Sequence, residues 1–178
     1  MALYSQDGLA KKREFTSSLS FLKCSEDVNI IAQRFLKNQK LCKLLYYTDA
    51  DCLTEKGIVP DAEKLKMLDN NIKIIPHLPK ENDMMSYIVI QFDNFVASPQ
   101  NPEFITHYII IDVICHIDNW KMDGGKLRPF LIMNEIDSMV NGSKLTGMGP
   151  AQFVTSQQLL VSPSLAGFSM VYEVGDMS

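Results

Sequence analysis

Acidic and imidazole side chains are the residues of this sequence whose types could do chemistry. Asp112, Asp118, Asp123, Glu135 and Asp137 fall within one stretch, and carboxylates in such numbers could clamp two divalent ions for phosphodiester cleavage. Their spacing weakens that reading. Glu135 and Asp137 stand two apart on a predicted helix and point in different directions. Asp112 and His116 share a face of a predicted strand but lie about 13 Å apart at ~3.3 Å per residue. His107 and His116 are separated by an odd number of residues, so they face opposite sides of that strand and cannot share a metal. His77, between Pro76 and Pro79, reads as a loop residue. A metal-dependent nuclease using Asp112, Asp118 and Glu135 stays open as an alternative.

Other chemical signatures fail on order or spacing. No serine or cysteine sits in a G-x-S-x-G turn. Gly142, Gly147 and Gly149 accompany Ser143-Lys144, but the lysine precedes the later glycines, so no phosphate cradle is implied. Cys24, Cys42, Cys52 and Cys115 lack CxxC pairing and read as reduced thiols rather than a zinc site. The ten methionines read as core filler. No catalytic, cofactor-binding or metal-ligating residue is expected, and no cofactor.

The elements that would position these side chains centre on residues 101–142. From Glu103 to Ile117 the chain is rich in β-branched and aromatic residues and opens on the Asn101-Pro102 turn signal, which predicts a strand. One face carries Ile105, Ile109, Ile111, Val113, Cys115 and Ile117, with His107 as its only polar member; this is the core face. The other carries Phe104, Thr106, Tyr108, Ile110, Asp112, Ile114 and His116. Such a mixed face meets a loop, an extension or another copy of the protein. A polar loop, Asp118 to Gly125, follows with the only tryptophan, Trp120, which either anchors an interface or, more ordinarily, lids its own core. Next, residues 127–142 predict a helix. Ile132, Met133, Ile136, Met139 and Val140 take the inner side; Asn134, Glu135, Asp137 and Ser138 take the outer. Pro129 suits the first turn and Asn141-Gly142 a stop.

Composition bounds the class. At 178 residues with a net charge of −4, the chain is long enough for one domain with a real core and lacks the basic balance of a dedicated nucleic-acid binder. No apolar run nears the roughly 20 residues of a membrane span, and the opening residues lack signal-peptide order, so a cytosolic protein is expected.

Residues 1–24 have no clear period and read as an arm that orders against a neighbour. Ser25 is a plausible N-cap for a helix running to Tyr47-Thr48, its lysines and Arg34 forming a solvated face. Asp49 to Asp83 reads as a long connection with a short helix at Asp61 to Leu68 and an apolar patch, Ile72-Lys73-Ile74-Ile75. Met85 to Phe95 predicts a strand that forms a hairpin with the one after it, and Phe153 to Val161 and Gly167 to Val174 two more. Ser143 to Pro150 is expected to be mobile. The fold class is therefore α+β: a mostly antiparallel four-stranded sheet with helices packed on one face, in the order α-β-β-α-β-β, with residues 25–178 as a single domain.

That order, together with Lys73-Ile74-Ile75-Pro76, Ile105 to Asp118-Asn119-Trp120, Gly125-Lys126-Leu127-Arg128-Pro129, Met133-Asn134-Glu135-Ile136-Asp137 and Gly167-Phe168-Ser169-Met170-Val171-Tyr172, resembles the small neck and tail-completion proteins of long-tailed bacteriophages, in particular the tail terminator or head–tail joining protein. The likeness covers residues 26–175. It implies a structural virion protein without an active site, located in the neck and in host cytoplasm during assembly. Such a protein forms a homo-oligomeric ring, expected as a hexamer, that caps the tail tube and joins it to the head connector, with DNA passing through unread and no membrane involved. The resemblance places function in surfaces: Tyr108, Asp112 and His116 on the mixed strand face, and Asp118, Trp120, Lys121 and Asp123 in the following loop. An adjacent head–tail adaptor or head-completion component is the related alternative, and a monomeric host-side adaptor a more distant one.

Overall fold

Strand alternation and helical spacing separate this chain into a sheet and a layer of helices over it. The structure is a computed structural model that describes residues 21–76, 84–97, 105–144 and 149–174. The expected arm up to residue 20, His77, Phe104, the loop around Asn101-Pro102 and Gly147 lie outside the described residues.

The elements are α1 (Phe21–Lys37), α2 (Gln39–Tyr46), α3 (Asp61–Asn70), β1 (Ile72–Lys73), β2 (Ser86–Ala97), β3 (Ile105–His116), α4 (Arg128–Val140), β4 (Ala151–Leu160) and β5 (Leu165–Val174), with two 3-10 turns between β3 and α4. The sheet has five strands in the order β1-β2-β3-β5-β4. The expected four strands are all present, and the four pair antiparallel as β2-β3-β5-β4. The fifth strand corrects the expectation, because β1 pairs parallel with β2 and makes the sheet mixed. Two residues cannot show a period of two, so the patch at Ile72 gave no strand signal. Hydrogen bonds from elsewhere in the fold place it: buried Asn71 donates from Nδ2 to the carbonyls of Leu45 (2.9 Å) and Ser86 (3.0 Å), and its own carbonyl accepts from the Ile88 amide (2.8 Å).

A second correction concerns the first helix. α1 already includes Phe21, so Ser25 is interior and its carbonyl accepts from Asn29 Nδ2 at 2.7 Å. The predicted single helix breaks at Asn38, whose backbone is extended and whose Oδ1 accepts from the amides of Lys40 (3.0 Å) and Leu41 (3.1 Å). Asparagine competes with the helical backbone for its own hydrogen bonds and favours caps. The break re-aims α2, and Ile31, Phe35, Leu41, Leu44 and Leu45 all enter the main core.

α4 spans the predicted range, with Pro129 in its first turn and Ile132, Ile136 and Val140 fully buried. Glu135, expected on the outer side, is buried instead, because α2 lies against that flank: Lys40 Nζ is 2.5 Å from Oε1, and Asn38 Nδ2 donates to Oε2 at 3.0 Å.

β3 buries His107, Ile109, Ile111, Val113 and Cys115 against the helices. Ile117 leaves that row because the strand ends at His116 and the chain turns, which leaves Ile117 exposed. On the reverse face Tyr87, Val89, Ile114 and Leu165 form a smaller buried cluster, so the Ile114 end of the mixed face is covered within this chain. Gly167 lets β5 lie close to β3: a Cβ there would stand 1.7 Å from the Val113 carbonyl oxygen.

Candidate interaction surface

The loop after β3 is held by hydrogen bonds from both its side chains and its backbone. The Trp120 indole donates to the Cys115 carbonyl (3.3 Å), Asn119 Nδ2 to the Met84 carbonyl (2.8 Å), and the Arg128 amide to the Trp120 carbonyl (2.8 Å). Met122 N–H donates to the Lys126 carbonyl (2.9 Å), and Lys121 bridges to Leu127, closing a small antiparallel turn. Gly124 and Gly125, both at φ +73°, take the left-handed conformation this turn requires. The loop thus holds its shape without a ligand.

Arg128 braces it from inside. Its side chain is fully buried, and the guanidinium donates to five backbone carbonyls, those of Leu44, Tyr47, Thr48, Asp49 and Asn119, at 2.6–2.9 Å. Three elements meet there: the C-terminal end of α2, the segment after it and the loop after β3. A cation at the C-terminal end of a helix meets the negative end of its dipole. The Cys52 thiol lies beside the guanidinium at 3.9 Å; burial raises its pKa and the Arg128 charge opposes that rise. The position sits within the Gly125 to Pro129 segment, but its type alone suggested no such role, since arginines are rarely fully buried.

Outside this brace lies a groove of about 570 Å³, walled by Ile117, Asp118, Trp120, Lys121 and Leu127, with Gln158 of β4 and Ala166 of β5 across from them. Trp120 is half-buried and packs on the core, as a lid does, and the same ring forms a wall of the groove. Phe130 lies 4.9 Å from Phe168 with the rings tilted at 36°, and a smaller hollow of about 240 Å³ is lined by Met133, Asn134, Asp137, Asn141, Phe153 and Met170. β4 and β5 contribute a wall to each hollow, Gln158 and Ala166 to the first and Phe153 and Met170 to the second. β4 itself is exposed along most of its length, including Phe153, Val154 and Leu160.

The residues singled out in the sequence divide between two surfaces. Asp118, Trp120 and Lys121 line the groove together. Asp123 lies on the outer turn, its amide donating to the Ala50 carbonyl at 3.2 Å. Tyr108, Asp112 and His116 occupy the reverse face of the sheet. Asp112 accepts from Gln91 Nε2 at 3.3 Å; burial raises its carboxyl pKa, partly offset by the hydrogen bond with Ser169. His116 is buried, with Nδ1 accepting from the Asp118 amide at 3.3 Å. The groove residues Leu127, Gln158 and Ala166 escaped sequence reasoning, and Ile117 was expected in the core. One signal for them was present: β4 reads AQFVTSQQLL, without a charge.

The carboxylates of the nuclease alternative are spread over the fold. Asp112 and Glu135 stand on opposite sides of the sheet, the latter spent on Lys40 and Asn38, so the carboxylates of the nuclease alternative do not converge. Among the described residues no three His, Cys, Asp or Glu side chains gather closely enough to hold a metal ion. The cysteines are free and buried, and burial pushes the Cys42 and Cys115 thiols up to about 11. No helix among the described residues is long and apolar enough to cross a membrane.

Compared with known proteins, the chain matches the family model described as YomW over residues 38–174, from the cap of α2 to the end of β5. No curated protein matches it.

Proposed function

The chain belongs to the YomW family, a phage-type family of the SPbeta-like prophage kind, and from that premise we propose that it is a structural subunit of the phage neck. In this reading copies of the chain form a ring, expected as a hexamer, that ends the tail tube and joins it to the head connector. DNA passes through the ring without being read, and the chain needs no cofactor.

The observation that carries this reading is the side of the molecule at β4. A preformed groove, a neighbouring hollow and a ten-residue uncharged edge strand lie together there, with exposed aromatic and aliphatic side chains among them. Apolar surface beside unpaired backbone groups is what protein partners cover. The groove at Trp120 and Lys121 faces outward on a loop held rigid by Arg128, which suits it to docking a tail tube or connector protein with little ordering cost.

Deleting the gene in a phage that carries it tests the reading directly. Lysates should then contain filled heads and separate tails in electron micrographs, with joined particles restored by the gene in trans. Normal joined virions from the deletion strain would overturn the proposal.

A further inference from the structure

One face of the sheet meets no helix among the described residues. The main core gathers side chains of all four helices over Ile109 and Ile111, whereas the buried cluster on the reverse face contains no helix residue. That cluster covers the Ile114 end. Toward the other end the strand register sets Asp93 of β2 and Glu173 of β5 on either side of Tyr108, Gln91 and Val171 on either side of Ile110, and Val96 beside Thr106. Residues opposite one another in register point to the same side of a sheet, so all of these share the reverse face. Asp93 and Glu173 are exposed, Val96 is 48% exposed, and Tyr108, Ile110 and Val171 are half-buried.

The charge on this face is one-sided. Asp112 adds a third carboxylate, and β2, β3, β4 and β5 contain no lysine or arginine. Lys73 of β1 donates to the Asp69 carbonyl, and His116, toward the Ile114 end, lies 3.5 Å from the Asp118 carboxylate. Asp93 accepts from the Asn94 amide at 2.7 Å, but among the described residues no cation pairs with Asp93, Asp112 or Glu173. Uncompensated carboxylates around half-buried apolar side chains fit a segment of opposite charge with apolar flanks.

The sequence supplies such a segment. Leu9-Ala10-Lys11-Lys12-Arg13-Glu14-Phe15 holds its only run of three consecutive cations, against one carboxylate, between Leu9 and Phe15. The segment precedes α1, which packs on β2 and α3. β1 pairs with β2 only at Ile88 and Val89, so from Ile90 to Ala97 the outer edge of β2 has no strand beside it among the described residues. Arg13 stands eight residues before Phe21. Eight extended residues span up to ~26 Å, enough to pass that edge and reach Asp93.

We propose that residues 9–15 dock on the reverse face of their own sheet, with Lys11, Lys12 and Arg13 facing Asp93 and Glu173, and Leu9 and Phe15 against the apolar side chains between them. This contact needs no second copy and no phage partner, so it stands or falls apart from the neck reading.

Chymotrypsin cleavage of the full chain after Phe15, followed by mass spectrometry, tests it. Each rate is compared with that of a synthetic peptide of residues 1–20 bearing the same substitutions, which removes changes in the intrinsic rate. Wild type should be cut about tenfold more slowly than its peptide, the size expected of a few exposed ion pairs with apolar contact. Asp93→Lys with Glu173→Lys reverses the face, and Lys11→Glu with Lys12→Glu and Arg13→Glu reverses the segment. Each set alone should be cut as fast as its peptide, and the two sets together should recover the protection. Asp93 and Glu173 are exposed, so circular dichroism should show the face variant folded; the segment variant, altered only before α1, reads the same contact should it not be. A wild type cut at the rate of its peptide, a face or segment variant that keeps its protection, or a combined variant that does not recover it would overturn the proposal. Protection that rises with protein concentration would overturn it as well, by assigning the segment to the face of another copy.

Discussion

Arg128 Nη1 donates to the carbonyl of Leu44 across 2.8 Å, tying the first residue of α4 to the last turn of α2. Its other oxygen partners are also backbone carbonyls, the Cys52 sulfur lies at 3.9 Å, and among the described residues no carboxylate accepts from it. Arg128→Lys keeps the charge but loses the planar fork, and an ammonium has too few donors for five acceptors. Each buried carbonyl left without a partner costs about 1–3 kcal/mol, and two are left, so the variant should lose at least ~2 kcal/mol in urea unfolding. A loss under ~1 kcal/mol would show that the brace is dispensable.

The contact between Lys40 and Glu135 makes stability depend on acid. Burial alone would raise the Glu135 carboxyl, but the hydrogen bonds from Lys40 and Asn38 and the Lys40 charge outweigh it and hold the pKa below its ordinary value. A depressed carboxylate pKa adds stability above the unfolded-state value of about 4.5, and that stability is lost as pH falls through the folded-state value. Lys40 is half-exposed, which limits the pair to about 1 kcal/mol at neutral pH. Glu135→Gln should therefore lose roughly that much at pH 7 and almost nothing near pH 3, read by urea midpoints at the two pH values.

His107 should act in the same direction for a different reason. Its ring is buried between Phe92 (5.4 Å) and Phe95 (5.5 Å), and neither nitrogen has a hydrogen-bond partner among the described residues. Burial lowers its pKa, so the unfolded chain takes up the proton first and stability falls as pH drops below about 6.5. His107→Leu removes both the titration and the unpartnered nitrogens. It should be neutral or stabilising at pH 7 and should flatten the melting temperature between pH 7 and 5; an unchanged slope would place the acid sensitivity elsewhere.

Gly167 has no room for a methyl group. Because a Cβ at this position would stand 1.7 Å from the Val113 carbonyl oxygen, Gly167→Ala must push β5 away from β3 or rotate its backbone. Overpacking of this kind costs about 2–3 kcal/mol. The change should appear as a lowered melting temperature and faster amide exchange in β5, and an alanine variant as stable as wild type would contradict the register at Ile114 and Gly167.

Much of the fold was legible because long elements repeat their period many times. β3 shows its core face at Ile109, Ile111 and Val113, and α4 announces both ends with Pro129 and Asn141-Gly142. Shorter or interrupted elements were not. β1 has too few residues for a period, and the break at Asn38 lies inside a run whose helical spacing continues on either side. Of the candidate surface residues, Asp118, Trp120 and Lys121 came together while Tyr108, Asp112 and His116 went to the reverse face, since strand parity separates faces but says nothing of what covers them.

By itself the sequence determined which residues point together along β3 and most of α4, because periodicity is a local property of a chain. Tertiary structure alone decided that Arg128 is a buried brace, that Glu135 turns inward to Lys40, that β1 joins the sheet in parallel and that β4 is the last strand at its edge among the described residues. Each of those depends on which distant backbone or side chain arrives at a given position, and contacts between residues far apart in sequence leave no mark on local spacing.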